Sequence, residues 1–214
     1  SINMHYQKHI ITIEDPIEYV YRSQKSILTQ RQIGIDTSNY IDGIKYALRQ
    51  DPDVILIGEI RDKETVESAL HAAETGHLVF ATLHTFNAIQ TINRILSFFS
   101  PQEREMIRAQ FAEVFRGCIS QKLLPRNDSD GRIPALEMLI STATIKDFIK
   151  KDNLEEIYKL VQKGGYNDML TFNQCLYDLV RKGLITKEIA LEHSDDQVEL
   201  RHYMQGVYTG SEGF

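Results

Sequence analysis

Four consecutive apolar residues, Val54-Ile55-Leu56-Ile57, stand between Asp51-Pro52-Asp53 and Gly58-Glu59, and this run constrains the fold more than any other feature of the chain. A strand with one wet face alternates apolar and polar side chains. A short β-branched run that is apolar throughout and bounded by turn residues is what a strand covered on both faces needs, as in a parallel sheet flanked by helices. Glycine and a carboxylate follow at once. Glu59 is therefore expected at the carboxyl end of the strand, the rim where open α/β sheets bind their ligands.

The rest of the chain repeats this plan. Ile10 to Ile13 reads as a second buried strand, and it ends in the acids Glu14, Asp15 and, past Pro16 and Ile17, Glu18. Edge strands or loops are predicted between Tyr19 and Asp36. A helix should start at Thr37 or Ser38 and run to Arg49, because Tyr40, Ile44, Ala47 and Leu48 recur at helical spacing. Asp62 can cap the next helix and Gly76 can end it in the left-handed conformation. Leu78 to Leu83 reads as a third buried strand, delivering His84.

A helix from about Ala88 carries Ile89, Ile92, Ile95, Leu96 and Phe99 inward. Ser100-Pro101-Gln102-Glu103 then has the form of a helix start with a capping box, and the helix is predicted to bury Ile107, Phe111, Val114, Phe115 and Cys118. A turn over Asn127 to Gly131 leads to a strand over Ala135 to Ile140. Helices are predicted beyond it at Thr144 to Lys151, Leu154 to Lys163 closed by Gly164-Gly165, Phe172 to Lys182 closed by Gly183, and Thr186 to Glu192. The segment from Gly206 to Phe214 reads as a mobile tail. The expectation is an α/β core over residues 1–141, a mostly parallel sheet flanked by helices, followed by a helical subdomain and tail over residues 142–214.

Composition narrows the functional classes. A net charge of −6 without a dense Lys/Arg block argues against a nucleic-acid partner. The longest apolar runs are a few residues, too short for a transmembrane segment or a secretory signal, so a cytoplasmic location is expected. Two cysteines, Cys118 and Cys175, are expected on apolar helical faces as buried free thiols, and they can build neither a disulfide framework nor a four-cysteine zinc site.

Parallel strands that end in Glu14, Asp15 and Glu18, in Glu59, and in His84 place all these groups on one rim. Such a rim can hold a metal through carboxylates, keep a water near a base and contact a phosphate through a histidine. His77 precedes its strand and is a weaker candidate than His84. Arg31, Arg49, Arg61 and Arg94 are the arginines expected near the rim or its loops, with Arg61 foremost because it lies two residues past Glu59.

These residues carry a resemblance. Ile11-Thr12-Ile13-Glu14-Asp15-Pro16-Ile17-Glu18-Tyr19 is similar to the Asp box of the secretion ATPase superfamily, specifically its PilT-like retraction motors of type IV pili. Asp53 to Arg61 resembles that family's Walker B element, and Ala73 to His84 its His box. The similarity continues through Ile119-Ser120-Gln121-Lys122-Leu123-Leu124-Pro125. The resemblance implies a RecA-like ATPase core working as a homo-hexameric ring, with ATP and Mg²⁺ between subunits. It also implies a motor on the cytoplasmic side, peripherally associated with the inner membrane through the pilus assembly platform protein. Carried over, Glu18 is the general base, Glu59 holds Mg²⁺ and water, and His77 and His84 lie near the γ-phosphate or couple it to movement. Glu14 and Asp15 face the nucleotide, and Arg31, Arg61 and Arg94 neutralise charge.

The chain departs from the family pattern twice. No G-x-x-x-x-G-K-[ST] loop occurs in it, so the expectation is a piece of a longer protein that binds ATP poorly alone, since that loop supplies the phosphate cradle. The family's Ala-Ile-Arg-Asn-Leu-Ile-Arg-Glu segment appears here as Thr144-Ile145-Lys146-Asp147-Phe148-Ile149-Lys150-Lys151, and lysine does not reproduce bidentate arginine contacts. A type IV or type II secretion ATPase relative, or a non-catalytic module docking on a motor ring, are the competing readings.

Overall fold

In the computed structural model, residues 1–163 and 168–206 are described. They form two compact units: Ser1–His84 with Ser97–Arg104, and Thr85–Leu96 with the chain from Glu105 onward.

The first unit holds β1 (His9–Glu14), β2 (Ile27–Gln32), β3 (Val54–Ile57) and β4 (Leu78–Ala81), with α1 (Ile2–His5), α2 (Tyr40–Leu48) and α3 (Lys63–Glu74). The strands make one parallel sheet in the order β2-β1-β3-β4, as the apolar runs require. Ile10, Ile11, Ile13, Val54, Ile55 and Ile57 are buried at its centre. The register pairs Ile13 with Ile57 and Ile57 with Ala81, which sets Glu14, Gly58 and Thr82 side by side at the carboxyl rim.

Local chemistry decides where the helices begin and end. Asn39, one or two residues later than the sequence suggests, caps α2 by accepting the Asp42 N–H at 2.8 Å. Asp62 caps α3 by accepting the Thr65 N–H at 2.8 Å, and Gly76 with φ of +100° carries the chain out of that helix. Helix α2 packs on β1 and β3 and against α3, which also covers β4.

Strand β4 corrects the expectation of a buried strand over Leu78 to Leu83. It stops at Ala81 and is an edge strand in which Leu78 and Phe80 stay exposed. Its apolar run looks in sequence like that of β3, because an unpaired edge leaves no mark on composition.

The second unit contains α4 (Ala88–Ser97) and most of α5 (Pro101–Val114), whose first turn belongs to the first unit. The hairpin of β5 (Gly117–Pro125) and β6 (Arg132–Ile140) follows, then α6 (Ala143–Lys150), α7 (Leu154–Gln162), α8 (Phe172–Arg181), α9 (Lys187–His193) and α10 (Gln197–Met204).

Here α5 corrects the sequence reading. The helix ends at Val114, and Cys118 lies on β5, not on a helical face. Gly117 permits the switch, since a Cβ there would meet the Leu139 carbonyl oxygen at 2.8 Å. Both cysteines are free and partly buried, and burial raises both thiol pKa values.

Thr142, Thr171, Thr186 and Asp196 cap the later helices through their side chains. Leu124 and Ala135 of the hairpin share a core with Phe172, Leu176, Leu179, Ile185, Ala190, Leu200 and Tyr203. The change from strands to helices near residue 142 thus lies inside one packed unit. The closure expected at Gly164-Gly165 and the tail from residue 207 lie outside the described residues.

Candidate functional site

The carboxyl rim of the parallel sheet gathers four charged or ionisable side chains of the first unit. Glu59 leaves β3 directly after Gly58, and its side chain is only 17% exposed. Oε2 accepts from Arg61 Nη2 at 2.6 Å and Nε at 2.7 Å, a paired guanidinium grip. Oε1 lies 3.2 Å from Nε2 of His84, which follows β4 and is largely exposed. Arg61 Nη1 stands 3.6 Å from Asp15 Oδ2, tying in the loop after β1.

Electrostatics follow the geometry. The Arg61 hydrogen bonds hold the Glu59 carboxyl below the usual range, with the Arg61 charge and His84 adding to the effect against a partial burial penalty. Arg61 is raised in turn, first by its hydrogen bond to Glu59. Glu59 is therefore an anion across the neutral range, with Arg61 on one carboxylate oxygen and His84 beside the other.

The main chain beneath is fastened from both sides. Gly58 N–H donates to the Ile13 carbonyl at 2.7 Å, and Ile60 N–H donates to the Thr82 carbonyl at 3.0 Å. The Thr82 hydroxyl donates to the Gly58 carbonyl. Glycine is needed at 58, because a Cβ would lie 3.0 Å from the Ile13 carbonyl oxygen and 3.2 Å from Glu14 Cα.

Of the other residues singled out in the sequence, Glu14, Glu18 and Arg31 lie outside this cluster. Glu14 accepts from Thr12 Oγ1 at 2.5 Å and Gln30 Nε2 at 3.0 Å, so it anchors β1 to its neighbour β2. Glu18 sits exposed on the loop after β1, and no hydrogen bond or ion pair among the described residues ties it to Glu59. Arg31 is half-buried on β2, level with Ile13. Arg94 is exposed on α4, in the second unit.

His77 stands at the opposite rim. Its strand begins with the next residue, so a parallel sheet puts it at the amino end, and its Nδ1 lies 2.9 Å from the Ala72 carbonyl and 3.1 Å from Thr75 Oγ1. Within this chain it closes α3 and does not approach Glu59 or His84. Arg49, after α2, likewise precedes β3, and its guanidinium lies over Tyr46 at 5.9 Å.

Sequence reasoning does not single out Thr82 or Tyr40 for this rim. Tyr40 reads in sequence as one more member of the apolar stripe of α2, and only its hydroxyl distinguishes it. Thr82 falls inside the strand predicted over Leu78 to Leu83, whereas it is the first residue past β4.

The donor set fits a hydrated Mg²⁺ in one respect: Glu59 and Asp15 present hard carboxylate oxygens. Among the described residues no group of three His, Cys, Asp or Glu side chains is arranged to hold a metal ion alone. The rim thus suits an ion that arrives with phosphate oxygens and water, not a dedicated protein cage.

Comparison with known proteins shows the family. A family model described as Type II/IV secretion system protein matches residues 1–189. The type IV pilus retraction ATPase PilT of Pseudomonas aeruginosa is 46% identical over 184 residues, 86% of this chain and 53% of that protein. The type IV pilus ATPase PilU of the same organism is 42% identical over 193 residues, 90% of this chain and 50% of that protein.

A crystal structure of the pilus retraction motor PilT with bound ADP superposes with a TM-score of 0.87 at 49% identity, covering 94% of this chain and 57% of that one. The Legionella pneumophila ATPase DotB follows with a TM-score of 0.77 at 31% identity, covering 87% of this chain and 51% of that one. The chain spans about half the length of the curated relatives it matches.

Proposed function

The chain belongs to the type II/IV secretion system protein family, and on that premise we propose that it is part of an ATP-hydrolysing motor of the pilus-retraction kind. The observation that supports this reading best is the contact of Glu59 with Arg61 and His84 at one rim of a parallel sheet. Relatives named as retraction ATPases, and a solved relative carrying ADP, point to the same chemistry.

In this reading ATP and Mg²⁺ sit at the rim. The metal, when bound, neutralises charge on the phosphates. Glu59 supplies an anion beside it and orients water, while Arg61 keeps that carboxylate ionised and aimed. His84, exposed at the end of β4, reaches the terminal phosphate. Glu18, exposed on the loop that follows β1, serves as general base once nucleotide is present. Arginines from neighbouring subunits complete charge neutralisation in a homo-hexamer, and an inner-membrane platform protein receives the movement on the cytoplasmic side. No helix among the described residues is long and apolar enough to cross a membrane.

The deciding experiment is ATP hydrolysis with Mg²⁺ by the protein as expressed from its own gene. Glu59→Gln should reduce turnover by about 100-fold or more while nucleotide binding persists. Turnover indifferent to that change would reject the reading.

A further inference from the structure

Residues 15–26 join β1 to β2, two parallel neighbours, and carry no helix or strand of their own. The backbone of such a stretch has no ladder to bond into and must find partners elsewhere. Two side chains of β2 supply them. Gln32 Oε1 accepts the Ile17 N–H at 3.2 Å, while Gln30 Oε1 accepts the Tyr21 N–H at 2.8 Å and Gln30 Nε2 donates to the Tyr19 carbonyl at 2.9 Å. Gln30 Nε2 also donates to Glu14 Oε1, 3.0 Å away at the end of β1. Glu18 lies between these fastenings, with Ile17 tied on one side and Tyr19 on the other, and its own side chain is exposed.

We infer that Gln30 and Gln32 are positioning residues for Glu18: they clamp the backbone on both flanks of the acid and leave its side chain free to meet a ligand. The two glutamines are separated by one residue on a strand, so they leave the same face of β2, and Arg31 leaves the other. Only a side-chain amide does what position 30 requires, since it accepts with one atom and donates twice with the other. A glutamate there accepts the Tyr21 N–H but offers nothing to the Tyr19 carbonyl, and it faces the Glu14 carboxylate. Tyr19, Val20 and Tyr21 are exposed, so apolar packing does not fix the tip of this loop. The clamp does, and it stands on firm ground, because β2 is paired with β1 along its whole length. The catalytic consequence rests on the ATPase reading above, in which Glu18 is the general base; the clamp itself does not.

The test is Gln30→Met and Gln32→Met in the protein as expressed from its own gene, read by backbone amide hydrogen exchange and by ATP kinetics. Methionine keeps the length of the side chain and removes its amide. Gln24→Met, on the exposed part of the same loop, is the control. Exchange should quicken about fivefold at Tyr21 in the first variant and at Ile17 in the second. If ATP is hydrolysed, each variant's kcat should fall by about threefold to tenfold with KM within about twofold, since the clamp orients a group already in place. Glu18→Ala separates positioning from general damage: added to it, either methionine should lower kcat no further, because the group it misplaces is already gone. Unchanged exchange at either amide overturns the clamp. Faster exchange with unchanged kcat overturns its role in the reaction, and so does a cost that adds in full to that of Glu18→Ala. If Gln30→Met fails to fold through loss of its Glu14 contact, Gln32→Met, whose side chain bonds only the Ile17 amide among the described residues, decides alone. A wild type that hydrolyses no ATP removes the general-base role together with the ATPase reading, and the exchange pattern still decides the clamp.

Discussion

Two carboxylates of this chain are held in place by opposite means. Glu59 is gripped by a guanidinium at a wet rim, whereas Glu199 is 8% exposed and has only neutral donors: Tyr158 Oη and Tyr203 Oη at 2.6 Å, Gln162 Nε2 at 2.8 Å, and the Asn173 amide. Burial, then the bond to Glu199, pushes the Tyr158 hydroxyl up, so it remains a donor. Glu199 therefore ties α7, α8 and α10 through a polar node inside the second unit. Glu199→Leu strips four donors of their acceptor, and unsatisfied buried groups cost more than the bonds contribute. Loss of about 3 kcal/mol in urea unfolding is expected, and a loss below about 1 kcal/mol would show the node to be dispensable. None of this is legible in the sequence, because Glu199 lies near Arg201 and His202 and reads as a solvated helix position. Glu59, Arg61, Asp15 and His84 were legible, since a parallel sheet fixes where strand ends point. The position of His77 was legible in the same way, and its place before β4 already argued against it.

At the level of elements, β1, β3 and α3 were readable because their signals are short-range: unbroken apolar runs, an aspartate cap and a terminal glycine. Strand β5 was not, since Ile119 and Leu123 point to solvent and its alternation is masked by the helical pattern running into it from α5. The start of α5 was readable, but its capping is only half of the expected box. The Glu103 carboxylate reaches back to the Ser100 N–H at 2.9 Å and hydroxyl at 2.7 Å, while it also receives Lys63 from the start of α3 at 2.5 Å. Lys63, then Ser100, lower the Glu103 pKa from 4.5 to about 2. A carboxyl depressed on folding contributes stability above its unfolded pKa and loses it as pH falls through the folded value. Wild type should thus surpass Glu103→Gln in thermal midpoint at pH 7, with the advantage shrinking below about pH 4.5 and gone near pH 2. A gap between the two that does not narrow on acidification would mean that the Glu103 charge is not what joins these helix starts.

At the scale of the whole molecule, charge sets the last requirement. The cluster at the rim contains two carboxylates, Asp15 and Glu59, against one arginine, Arg61, and the chain as a whole carries a net charge of −6. A triphosphate adds several negative charges to that rim, and transfer of its terminal group spreads charge over oxygens that need cations close by. Arg61 is already spent on Glu59, so it cannot also stabilise a phosphate without releasing the carboxylate it aims. A rim built this way is short of positive charge, and on the motor reading arginines from another copy supply it. If the motor reading holds, turnover per chain should rise steeply with protein concentration and level off as assembly completes, with sedimentation showing the same midpoint. Arginine substitutions should then separate into two kinds. Arg61→Ala acts within its own chain, while an arginine that serves a neighbour should be rescued in mixtures of that variant with Glu59→Gln, because some interfaces then join an intact Glu59 to an intact arginine. Turnover that stays constant per chain from dilute to concentrated solution would show that one copy suffices, and the ring would lose its catalytic justification.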